Sequence, residues 1–134
     1  MCKKHYGECM LTFSLGRQVD GAVGSLEMLP EVVEAVKGKK GGIGEDFVVM
    51  FDSGIRTGAD IVKAISLGAK MVGVGRPWCY GLGINGKQGA KDALKGILAD
   101  LDQLCGLAGL QNLGECGPKT LRKCVYPGDR FQAY

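Results

Sequence analysis

Residues 46–78 read DFVVMFDSGIRTGADIVKAISLGAKMVGVGRPW, and the order of elements in this stretch decides the fold class. Residues 46–51 are almost continuously apolar, the pattern of a strand buried on both faces of a parallel sheet. Residues 57–67 then place Ile61, Ala64 and Ile65 on one side of a helix, with Thr57 as a candidate N-cap and Gly68 as its C-cap. Residues 70–74 (KMVGV) form a second buried strand. A strand, a helix of about three turns and another strand make parallel strands joined by a helical crossover.

The same alternation extends in both directions. Upstream, residues 9–13 (CMLTF) read as a short strand. Residues 25–37 follow with Leu26, Leu29, Val33 and Val36 at helical spacing, Ser25 as N-cap and Glu27 in the first turn. Residues 38–45 (GKKGGIGE) are a polar, glycine-rich loop. Downstream, residues 75–86 read as a turn-rich connection. Residues 87–108 form the longest helix, with Ala90, Leu94, Ile97, Leu101, Leu104 and Ala108 on one face. From residue 109 the chain reads as irregular.

Three βα units result, so the fold class is α/β. A doubly wound sheet and a piece of a (β/α)8 barrel compete. A full barrel takes about 250 residues, and this chain has 134. Three parallel strands leave faces and edges uncovered. The chain is therefore expected to be incomplete or to need a partner.

Composition narrows the function classes. There are 17 Lys and Arg against 14 Asp and Glu, a net charge of +3, which gives no case for nucleic acid or an acidic membrane surface. At 46% hydrophobic residues the chain is not disordered by composition. The 23 glycines follow no G-X-Y period, so collagen is excluded and tight turns or close backbone approach are implied. No apolar run suits a signal peptide core or a membrane helix, and a soluble intracellular protein is the expectation. Cys2, Cys9, Cys79, Cys105, Cys116 and Cys124 then read as free thiols. Cys2, His5 and Cys9 supply metal-type ligands, but only three at irregular spacing, so no metal is assigned. His5 lies far from any strand end and is given no catalytic role.

In parallel α/β proteins ligands collect at the carboxyl ends of the strands. The first strand runs on to Arg17, whose guanidinium suits a carboxylate held by two parallel hydrogen bonds. The second ends in Asp52, Ser53, Gly54 and Arg56, where Gly54 allows close backbone approach, Arg56 adds a positive fork and the next helix offers unpaired N–H groups. The third ends in Gly75 and Arg76, with Pro77 at the first position of a short helix. Two consecutive ends with Gly and Arg are the parts of a phosphate site. Neither is a Walker loop or a GxGxxG fingerprint. Trp78 and Tyr80 are read as core filler rather than partner contacts.

Joined in order, residues 16–36 (GRQVDGAVGSLEMLPEVVEAV), 52–82 (DSGIRTGADIVKAISLGAKMVGVGRPWCYGL) and 86–110 (GKQGAKDALKGILADLDQLCGLAGL) resemble the carboxyl-terminal part of FMN-dependent α-hydroxy acid oxidases and dehydrogenases, nearest their lactate 2-monooxygenase type. The resemblance covers residues 16–113. It implies a (β/α)8 TIM barrel with FMN at its carboxyl face, of which this chain holds strands six to eight. It divides the chain into a divergent start (1–15), the barrel part (16–113) and an irregular tail (114–134). Asp52, Ser53, Gly54 and Arg56 match the family's first FMN-phosphate loop, and Gly75 and Arg76 its second. Arg17 matches the Arg that holds the substrate carboxylate.

The departure lies just before Arg17. The family motif Asn-His-Gly-Gly-Arg-Gln has its proton-abstracting His where this chain has Ser14, with Phe13 for Asn and Leu15 for the first Gly. A serine hydroxyl has no useful basicity at neutral pH. The family's first five strands, which supply substrate-contacting tyrosines, a Lys near flavin N1 and most of the ring pocket, have no counterpart here. The expectation is a family that oxidises small 2-hydroxy acids with FMN, and a truncated chain that does not turn over. The alternatives are a non-catalytic FMN- or phosphate-binding fragment, or a half-barrel that pairs with itself or with a complementary piece.

Overall fold

The computed structural model describes residues 8–11, 23–37 and 47–122. The elements are β1 (Glu8–Leu11), α1 (Ser25–Lys37), β2 (Val48–Asp52), α2 (Gly58–Ser66), β3 (Met71–Gly73) and α3 (Arg76–Leu107). Two 3-10 turns, Leu113–Glu115 and Pro118–Thr120, follow within the stretch expected to be irregular. The strands pair in parallel in the order β1-β2-β3. The fold is α/β, and among these three strands the order is sequential, with none of the reversal that marks a doubly wound sheet. Phe13, Ser14, Arg17, the 38–45 loop, Cys2, His5 and Cys124 lie outside the described residues.

Among the described residues the helices cover one side of the sheet. Phe47, Val49 and Phe51 are buried in one core with Leu29 and Val36 of α1, Ile61, Val62 and Ala64 of α2, and Ile97 and Leu101 of α3. Side chains alternate along a strand, so Val48, Met50 and Asp52 turn to the other face, where they are half-buried. Met71 pairs with Met50 on that face and is 53% exposed. The expectation of burial on both faces is therefore corrected, because no described element covers the Met50 side.

Three local expectations change. Helix α1 begins one residue earlier than the cap assignment required. The Gly24 carbonyl accepts from the N–H groups of Glu27 and Met28, so Gly24 is the cap and Ser25 the first helical residue. Residues 76–84 are helical rather than turn-rich. The chain bends at Asn85 (φ −143°) and Gly86 (φ +52°, ψ −144°) and runs on as the long part of α3. The glycines permit this because the two arms touch backbone to backbone: a Cβ on Gly81 would collide with the Gly89 carbonyl, and the reverse also holds. Trp78 and Tyr80 stand exposed on the short arm, so they are not core filler. At the far end of α2, Gly68 does close the helix at φ +107°, with Val33 of α1 packed 2.8 Å from where a Cβ would stand.

Candidate phosphate-binding strand ends

Asp52 and Gly73 are register partners at the ends of β2 and β3. A Cβ on Gly73 would stand 3.0 Å from that of Asp52. The loops carrying Arg56 and Arg76 therefore leave the sheet side by side, about 4.8 Å apart as neighbouring strands are. After Asp52 the backbone takes positive φ twice, at Ser53 (+95°) and Gly54 (+77°). A non-glycine residue there is strained, and such strain concentrates at functional turns. The Ser53 hydroxyl donates to Asp52 Oδ1 at 3.1 Å. Nothing lies within 4 Å of a Cβ on Gly54, so glycine is required by its φ within this structure. Gly75 has open space and an ordinary negative φ of −97°.

The two helix starts differ. Thr57 caps α2, and Asp60 closes the box from the other side. Asp60 Oδ2 accepts from the N–H groups of Arg56 and Thr57 at 3.1 Å each and from the Thr57 hydroxyl at 2.9 Å. The N–H of Asp60 donates to Thr57 Oγ1 at 3.4 Å, and the N–H of Gly58 donates to Asp100 of α3. Of the N–H groups at the start of α2, those of Arg56, Thr57, Gly58 and Asp60 are thus taken by the protein's own side chains. That narrows the expectation of free N–H groups for a ligand at this helix. Burial of Asp60 works against its charge, but the Thr57 hydroxyl, the two backbone N–H groups and Lys63 outweigh it and hold its pKa below the ordinary value.

Helix α3 has no such filling. Its cap, Gly75, has no side chain to bond the first turn, Pro77 sits at the start, and the first turn holds no acidic residue. Arg56 and Arg76 are both exposed. Among the described residues the one ion pair joins Lys63 to Asp60 at 3.8 Å, so neither guanidinium is taken by a carboxylate there. Two arginines that meet no described carboxylate, two adjacent strand ends and a helix start without a side-chain cap make an arrangement suited to an anion. Arg17 and Ser14 cannot be placed in it, being outside the described residues. No group of three metal-ligating side chains occurs among the described residues, and none of their helices is long and apolar enough to cross a membrane.

Sequence reasoning missed Asp60 and Asp100. Thr57-x-x-Asp60 is a capping-box spacing and was readable. Asp100 is 42 residues from Gly58, and no local pattern announces it.

The sequence model of the family described as FMN-dependent dehydrogenase matches residues 15–123. The chain belongs to the FMN-dependent dehydrogenase family. Among relatives of this family member, the FMN-dependent alpha-hydroxy acid dehydrogenase qulF of Penicillium citrinum is 54% identical over 114 residues, 85% of this chain and 27% of the relative. The L-lactate oxidase of Lysinibacillus sphaericus is 41% identical, over 81% of this chain and 26% of its own length. Mandelate oxidase with benzoyl-formic acid superposes with a TM-score of 0.68 at 38% identity, over 80% of this chain and 30% of that one. A mutant of the active chimera of (S)-mandelate dehydrogenase gives 0.73 at 33% identity, over 87% and 30%. This family member thus spans about a quarter to a third of the proteins it matches.

Proposed function

We propose that the chain carries the phosphate-holding end of an FMN-dependent oxidoreductase acting on small 2-hydroxy acids. The observation that supports this most is the pair of neighbouring strand ends bearing Arg56 and Arg76, neither engaged by a described carboxylate. The residues present fit a phosphate. Arg56 and Arg76 offer planar donor forks, and the cap at Gly75 leaves the first N–H groups of α3 without a side-chain acceptor. Asp52 and Ser53 shape the turn, and Gly54 allows its positive φ. FMN, when bound, supplies the acceptor for the two electrons of a hydroxy acid. Arg17 would orient the substrate carboxylate. Ser14 stands where the resemblance calls for a base, and its hydroxyl does not take up a proton at neutral pH. By resemblance the chain corresponds to strands six to eight of the barrel, and the isolated chain is expected to show no turnover with lactate or glycolate.

The test is a fluorescence titration of the purified chain with FMN, with riboflavin as the phosphate-free control. Saturable quenching of FMN but not riboflavin, lost in the double variant Arg56→Ala and Arg76→Ala, is the expected result. Equal behaviour of FMN and riboflavin overturns the phosphate assignment. Lactate-dependent flavin reduction by the isolated chain overturns the expectation of inactivity.

A second reading has its own observation. The edge of β3 away from β2 pairs with no described strand, Met71 there is exposed, and Tyr80 and Ile84 stand out on the short arm. This favours self-association or pairing with a complementary barrel piece. A mass that stays monomeric at all concentrations in light scattering counts against it.

A further inference from the structure

The phosphate reading leaves open what holds Arg56 in place, because Arg56 sits on an exposed turn and its side chain makes no described ion pair. Two residues further on, the chain meets α3. A Cβ on Gly58 would lie 2.5 Å from Leu101 Cα and 2.7 Å from the Asp100 carbonyl carbon, so only glycine lets the start of α2 approach this helix. At that contact the Gly58 N–H donates to the Asp100 carboxylate, a partly buried bond between residues 42 apart. Leu101 beside it is in the core. On the upstream side, the Arg56 and Thr57 N–H groups are held by Asp60. The Arg56 turn is thus tied at Asp60 within its own helix and at Asp100 to a separate one. That separate helix begins with Arg76, and its two arms are locked where Gly81 meets Gly89.

We infer that Asp100 is a positioning residue for the phosphate site: its carboxylate anchors the Arg56 turn to the helix whose first residue is Arg76. It touches no ligand and acts through Gly58. A carboxylate accepting a backbone N–H at a helix start makes a charge-assisted bond, stronger than a neutral one. Losing it frees the turn relative to α3 without emptying the core. The inference rests on the phosphate reading for its functional meaning, while the anchor itself does not.

The experiment compares Asp100→Ala and Asp100→Asn in the whole chain, by residue-resolved amide hydrogen exchange and by FMN titration against riboflavin. Asn keeps an oxygen able to accept from Gly58. In Asp100→Ala the Gly58 N–H is expected to exchange about tenfold faster, with amides of β2 unchanged, as for a local opening. FMN affinity should fall several-fold with riboflavin unaffected, and Asn should restore most of both. Unchanged Gly58 exchange in the Ala variant overturns the anchor. Faster exchange with an unaltered FMN-to-riboflavin ratio overturns the link to phosphate. A parent chain that does not distinguish FMN from riboflavin overturns the phosphate reading alone, and the exchange data still decide the anchor. Should Asp100→Ala lose β2 protection as well, Asp100→Leu fills similar space without an acceptor: Gly58 protection retained there overturns the anchor, and Gly58 protection lost with β2 protection kept supports it.

Discussion

Gly54 and Gly75 occupy matching places in the two strand ends but are glycine for different reasons. Gly54 has φ +77° and open space around a Cβ, so Gly54→Ala is expected to cost about 1–2 kcal/mol, readable as a lower urea midpoint. Gly75 has φ −97° with ψ −102° and nothing within 4 Å, so Gly75→Ala should lower the urea midpoint less than Gly54→Ala does. If Gly75→Ala nevertheless weakens FMN more than riboflavin, the missing Cβ is space for the phosphate. If both ligands are unaffected, close approach at this position is disproved. Asp60 gives a pH prediction. Its folded pKa lies below the unfolded value, so its contribution is present above the unfolded value and is lost as pH falls through the folded one. Asp60→Asn should therefore lower stability at neutral pH and flatten the acid limb of a urea-midpoint profile. An acid limb as steep as the parent's would mean that other carboxylates govern it. At this scale the arginines and glycines were readable from the sequence because they follow strands directly. Asp100 was not, since only the folded chain brings it to Gly58.

Helix α2 was legible almost to the residue, because its cap at Thr57 and its stop at Gly68 are local chemistry. The short arm of α3 was misread, because four glycines between residues 81 and 89 mimic a loop when the contact of Gly81 with Gly89 is unseen. The same elements make two predictions. Ser66 in α2 is 2% exposed and its hydroxyl has no hydrogen-bond partner among the described residues. Burying an unsatisfied hydroxyl is costly, so Ser66→Ala is expected to be neutral or to stabilise by about 1 kcal/mol, checked by urea denaturation. A clear loss would show that the hydroxyl has a partner after all. In α3, Cys79 is exposed, whereas burial, then Cys116 and Asp102, push the Cys105 thiol up. Alkylation followed by peptide mapping at neutral pH should modify Cys79 well before Cys105. Equal rates would mean that α3 opens on the labelling timescale.

For the whole molecule, the alternation of strands and helices gave the α/β class, and the sequential strand order adds what no single segment carried. That no described element packs on the Met50 face was not legible, since an apolar strand reads alike whether one or both sides are packed. The core lies on the helix side, and Leu29 there is fully buried. Leu29→Ala should cost about 2–5 kcal/mol, measured by denaturant titration, and a smaller loss would mean that α1 repacks over the sheet. Where Gly81 meets Gly89, backbone lies against backbone with no side chain to rearrange. That contact has a kinetic consequence. An arm seated in this way has no slack to swing open, so an anion should reach Arg76 without waiting for a gate. Observed association rates in stopped-flow mixing are then expected to rise linearly with FMN concentration, whereas a plateau would reveal a gating step.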